Sequence, residues 1–125
     1  MLYIQESQTT PLVNLDEGTD QFKIYGRSIS EKSFDFYKPL LEWVADYSKN
    51  PKSSTSLEIK LEYINTYSSK CLVDIFKKLE EINQKNYKVQ ILWLIKKADE
   101  EMKELGQDYQ SIIDIPMDIV ELSEI

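Results

Sequence analysis

The 125-residue sequence has no histidine, one cysteine (Cys71), three glycines and four prolines. Without imidazole, Ser-His-Asp and Cys-His catalysis, histidine zinc sites and histidine phosphorelay are excluded together. A lone cysteine cannot close an internal disulfide, which fits a reducing compartment. Gly18, Gly26 and Gly106 are too scattered to form a phosphate-cradling loop. No apolar run approaches the roughly 20 residues of a membrane span. The start, MLYIQESQTT, lacks the basic and long apolar regions of a signal peptide. The expected location is the cytoplasm, away from any membrane. Excess positive charge is missing too: 15 Lys and Arg face 22 Asp and Glu, a net charge of −7. That disfavours a nucleic-acid backbone as partner and favours basic protein surfaces.

What is present is ordinary globular material, 42% hydrophobic and 30% charged. The length suits one domain over 1–125, large enough to bury about two-thirds of its unfolded surface. Residues 2–5 (LYIQ) and 22–27 (FKIYGR) are β-prone, with the turn-like DEGTD (16–20) between them, so an N-terminal hairpin is expected. Over 31–49 the period changes, and Phe36, Leu40, Trp43, Val44 and Tyr47 share a helical face. Pro39 either starts this helix or kinks one that began near Ser33. NPKSSTS (50–56) reads as a loop. LEIKLEYI (57–64) alternates, with Leu57, Ile59, Leu61 and Tyr63 on one side, as a half-buried strand does.

Residues 68–85 stripe Leu72, Ile75, Phe76, Leu79 and Ile82 along a second helix. VQILWLI (89–95) reads as a strongly apolar central strand. ADEEMKELGQDY (98–109) reads as a short acidic helix that Gly106 ends or interrupts, and IPMDIVEL (115–122) as a last strand with Pro116 at its start or on an edge. The fold class is therefore α/β: a mixed sheet with an N-terminal β-hairpin and βα crossover helices.

Chemistry concentrates in EYINTYSSKC (62–71). Asn65, Thr66, Tyr67, Ser68 and Ser69 occupy the turn from a strand's carboxyl end into a helix, where ligands and modifications gather. Asn65, Thr66 or Ser68 suits a helix cap. The same position, with free backbone N–H groups and the positive end of the helix dipole, also tolerates a phosphate on a hydroxyl. Cys71 is expected as a small buried hydrophobe, Trp43 and Trp93 as core, and Tyr3, Tyr25 and Tyr37 as candidate interface residues. Asp99, Glu100, Glu101 and Glu104 read as a solvated helix face, since no spacing specific to a metal is present.

YINTYSSK (63–70) resembles the N-T-S-S motif of the SiaC family, bacterial regulatory phosphoproteins linked to biofilm control. GRSISEKSFDFYKPLLEWVADY (26–47) and DEEMKELGQDY (99–109) are similar to two further segments of that family, in one register over about residues 10–120. Tyr67 stands where the family usually has serine, Ser28 to Lys32 replaces S-Y-P-E-N, and Gln107 replaces an acid. The resemblance implies a fold similar to the anti-sigma-factor antagonist (STAS) domain and no catalytic activity or cofactor. It also implies phosphorylation of Thr66 by a partner kinase, with Asn65, Tyr67, Ser68, Ser69 and Lys70 shaping the site. Removal of the phosphate would fall to a PP2C-type phosphatase, and the unphosphorylated protein would bind and activate a diguanylate cyclase. The alternatives are an antagonist that captures an anti-sigma factor and, less compatible with the missing histidine, a small metal enzyme built on the acidic cluster.

Overall fold

The computed structural model describes residues 1–19 and 21–123. Its element order is β1 (Leu2–Ile4), β2 (Leu12–Leu15), β3 (Gln21–Ser28), α1 (Ser33–Tyr47), β4 (Ser54–Ile64), α2 (Thr66–Gln84), β5 (Lys88–Lys96), α3 (Glu100–Ile112) and β6 (Met117–Leu122). The strands form one sheet in chain order, β1-β2-β3-β4-β5-β6. The first three pair antiparallel, and β3 to β6 run parallel. The expected hairpin of residues 2–5 with 22–27 is therefore a three-stranded meander. The added strand is LVNL, which pairs with both. It is only four residues long, follows Pro11 and contains Asn14, so its local β signal is weak. Asp16 Oδ1 accepts from the Gly18 N–H at 2.8 Å in the β2–β3 turn. Asp20 of the expected turn lies outside the described residues.

Each parallel crossover steps one strand in the same direction, so right-handed connections stack all three helices on one sheet face. Leu57, Ile59, Ile91 and Trp93 from the sheet meet Leu40, Val44, Leu72, Ile75, Phe76 and Leu79 from the helices in one buried cluster. The other face carries Lys23, Tyr25, Glu58 and Lys60. Tyr25 donates to Glu58 Oε2 at 2.5 Å, and the ammonium groups of Lys23 and Lys60 lie 6.0 and 5.9 Å from its ring centre. Covering only one face explains why the strand sequences alternate so clearly.

Four local expectations need correction. Tyr63 is exposed, because the β3–β4 register shifts: Gly26 faces Leu61 but Arg27 faces Tyr63. Glu62 is the extra residue, and such a bulge turns the residues beyond it to the other side. Gly106 neither ends nor interrupts α3, and a Cβ there would stand 2.6 Å from Trp93 Cδ1. It is the place where helix and sheet approach closely. Residues 54–56 belong to β4, not to the preceding loop. Tyr37 is fully buried, which removes it as an interface residue; Tyr3 is exposed and Tyr25 half-buried. Pro39 lies inside a helix that starts at Ser33, on its exposed side.

Candidate functional site

Helix α2 begins where β4 leaves the sheet, and its first turn is fixed from three directions. Asn65 is the cap: its backbone is extended, and its Oδ1 accepts from the Ser68 N–H at 2.8 Å. The other half of its amide donates to Ser30 O at 2.9 Å, and its own N–H donates to Ser28 O at 3.0 Å. Asn65 thus closes the helix end and ties it to the chain leaving β3. Of the three expected caps, Thr66 and Ser68 are inside the helix.

The two serines point inward. Ser68 is fully buried, and its Oγ lies 2.7 Å from Ser28 Oγ and 2.8 Å from Ser33 Oγ. Ser33 donates to Ser30 O at 2.6 Å, and Ser28 lies 2.7 Å from the Tyr37 phenol. A hydroxyl carries one proton, which sets the directions. Ser33 gives its proton to the carbonyl, Ser68 therefore gives to Ser33, Ser28 gives to Ser68, and Tyr37 gives to Ser28. Every donor in this buried row is used once. Burial raises the Tyr37 pKa above its ordinary value, with the Ser28 hydrogen bond opposing. Ser69 Oγ meets the Tyr109 phenol at 2.6 Å, which joins α2 to α3. Tyr109 is pushed up to about 12, chiefly by burial. Cys71 is buried as expected, and burial raises its thiol pKa.

Thr66 and Tyr67 point outward. Thr66 is exposed in the first turn of α2, and no hydrogen bond of the described residues engages its hydroxyl. Tyr67 is 51% exposed, and its ring meets the 54%-exposed Phe34 edge-on, centroids 5.9 Å apart. Lys70 is exposed one turn along. The six expected residues therefore come together, but with opposite roles. Ser68 and Ser69 hold neighbouring elements, while Thr66, Tyr67 and Lys70 meet solvent. Sequence reasoning missed Ser28, Ser33, Phe34, Tyr37 and Tyr109 as part of this site. The only sequence signal for them was the density of serine where β3 passes into α1.

Thr66 and Tyr67 carry the hydroxyls here that an enzyme can reach without unfolding the turn, and Thr66 is the aliphatic one. A dianion there would sit at the amide-rich end of α2. Asp99 of the acidic segment caps α3 by accepting from the Met102 N–H at 3.2 Å, and Glu100, Glu101 and Glu104 are exposed. Among the described residues, no group of three or more Cys, Asp or Glu side chains is placed to hold a metal ion. Nor is any described helix long and apolar enough to cross a membrane.

Residues 4–122 match the family of SiaC regulatory phosphoproteins. The chain belongs to the SiaC family. It is 27% identical to an uncharacterized protein of Pseudomonas aeruginosa strain UCBPP-PA14 over 94% of each chain. Among solved structures it is similar to SiaC of Pseudomonas aeruginosa, at 26% identity and a TM-score of 0.89, covering 97% of this chain and 98% of that one. It is also similar to a chain in the crystal structure of the diguanylate cyclase SiaD in complex with its activator SiaC. There the identity is 26% and the TM-score 0.92, with 98% and 100% of the chains covered. The α/β architecture expected from the sequence is that of these structures. The protein is a regulatory member of this family.

Proposed function

We propose that this protein is a phosphorylation-controlled activator of a diguanylate cyclase, with Thr66 as the phosphoacceptor. The observation that carries the reading is the division of labour in one helical turn: Ser68 and Ser69 are committed inside, while the Thr66 hydroxyl is exposed and unengaged. The likeness to the SiaD-bound activator supports a cyclase as the output partner. In this scheme a kinase adds the phosphate and a PP2C-type phosphatase removes it. The unphosphorylated chain docks on the cyclase. The phosphate adds about −1.5 to −2 charges to a protein already at −7 and breaks a desolvated contact by repulsion and by its hydration. Asn65, Tyr67, Ser68, Ser69 and Lys70 hold or surround the acceptor. The chain acts as one domain, in the cytoplasm, where ATP and GTP are available to the kinase and the cyclase.

The test is to incubate the protein with a purified candidate kinase from the same cell, ATP and Mg²⁺, and to map the product by mass spectrometry. Label on Thr66, lost in Thr66→Ala, is the expected result. Label confined to other residues refutes the site.

A further inference from the structure

We infer that Lys70 is the built-in counter-ion of a phosphate on Thr66, so that the modified state is held by an ion pair within α2 and not by a change of fold. The inference rests on the proposal that Thr66 is the phosphoacceptor and adds what receives the new charge.

Thr66 and Lys70 stand four residues apart in α2, and both are exposed. That spacing places the two side chains on one helical face, with Cβ atoms about 5–6 Å apart. Their order matters too. An acid one turn before a base pairs better than the reverse, because the helix dipole then favours both charges. Thr66 carries no charge until it is modified, so the pair exists only in the phosphorylated state.

Lys70 is free to form it. On the same helix Lys77 pairs with Glu80 at 3.2 Å and Lys78 with Glu81 at 3.4 Å. Lys70 enters no ion pair among the described residues. Asp74, exposed one turn beyond it, stands in the weaker order. A phosphate, with about −1.5 to −2 charges and three acceptor oxygens, out-competes that single carboxylate.

The surroundings make a counter-ion necessary. The adjoining start of α1 carries Glu31, Lys32 and Asp35, and the end of β4 carries Glu62, paired with Arg27 at 3.4 Å. From α3, exposed Asp108 precedes the Tyr109 that bonds Ser69. With Asp74, acids outnumber bases around this turn, and an uncompensated dianion would be repelled.

Nothing in the turn has to move to receive the phosphate. Asn65 caps it, Ser68 bonds inward at 2.7 and 2.8 Å, and Ser69 bonds Tyr109, while the Thr66 hydroxyl points out. What changes is the surface a partner meets. A net negative charge appears at Thr66, and the Lys70 ammonium is withdrawn into the pair.

The experiment is a phosphorus NMR titration of the folded protein at low salt, carrying phosphothreonine introduced at position 66 during synthesis. Wild type is compared with Lys70→Met, Lys70→Arg and Lys85→Met, each checked for folding by thermal melts. Lys85, exposed at the far end of α2, controls for the loss of one charge. A neighbouring ammonium favours the dianion, so the second phosphate pKa should be lower in wild type than in Lys70→Met by about half a unit. Lys70→Arg and Lys85→Met should match wild type, and about 1 M NaCl should shrink the difference. An equal phosphate pKa in wild type and Lys70→Met overturns the inference, as does a shift in Lys85→Met as large as that in Lys70→Met. The phosphoacceptor reading fails by a different result: label confined to residues other than Thr66 after incubation with a kinase.

Discussion

The Ser69 hydroxyl and the Tyr109 phenol lie 2.6 Å apart, forty residues distant in sequence, and join the start of α2 to the last turn of α3. Tyr109 is also clasped between Phe76 and Trp93, at centroid distances of 5.2 and 5.3 Å. One residue therefore links the candidate site to the core.

That linkage has a pH signature. Burial pushes the Tyr109 phenol up to about 12 from its ordinary value of 10. The folded state favours the protonated phenol, so this stabilisation is complete below pH 10 and is lost as pH rises from 10 through 12. At about 1.4 kcal/mol per unit, roughly 2–3 kcal/mol is at stake. Urea unfolding of wild type should show stability falling across this window. Tyr109→Phe should be less stable at pH 7 and fall less steeply between pH 10 and 12. An equal slope in both proteins would contradict the assignment.

Gly106 is held to its identity by contact. A methyl group there meets the Trp93 ring at 2.6 Å and Ile119 at 3.1 Å. Trp93 cannot retreat, because it is fully buried and its Nε1 donates to Met102 O at 2.8 Å. Alanine in a helix is intrinsically better than glycine by about 1 kcal/mol. Overpacking costs about 1–3 kcal/mol and wins. Gly106→Ala should therefore lower stability in chemical denaturation, whereas a gain would show that helix and sheet can separate at low cost.

Neighbouring hydroxyls should behave oppositely. Ser68→Ala leaves the buried Ser28 donor without an acceptor and should cost about 1–3 kcal/mol. Thr66→Ala touches no internal bond of the described residues and should stay within about 0.5 kcal/mol of wild type. Denaturation midpoints of the two variants decide this. Equal losses would mean that Thr66 is structural.

Asn65→Ala removes the cap of α2 and the tie to Ser30 O. Cap loss alone costs about 0.5–2 kcal/mol. Asn65→Asp keeps the cap acceptor but not the donor to Ser30, so it should recover part of the loss. No recovery would place the cost in the Ser30 contact instead.

The sequence's periodicities carried most of the fold. The apolar stripe from Leu72 to Ile82 and the alternation from Leu57 to Leu61 each have one buried face, because the helices cover a single side of the sheet. Tyr63 escaped that logic because a one-residue bulge has no signature in an apolar–polar pattern. Strand β2 was hidden by its shortness. At the site, Thr66 and its neighbours were legible as a hydroxyl-rich βα turn, but the inward and outward roles within it were not. Those depend on Ser28, Ser33 and Tyr109, which only the tertiary fold brings near.

The most direct measurement is the affinity of a diguanylate cyclase from the same cell for two forms of this protein: unmodified, and carrying phosphothreonine introduced at position 66 during synthesis. Titration calorimetry should give binding of the unmodified form and at least about tenfold weaker binding of the phosphorylated one, a loss of about 1.4 kcal/mol. Equal affinity of the two forms would contradict the claim that the charge on Thr66 governs docking.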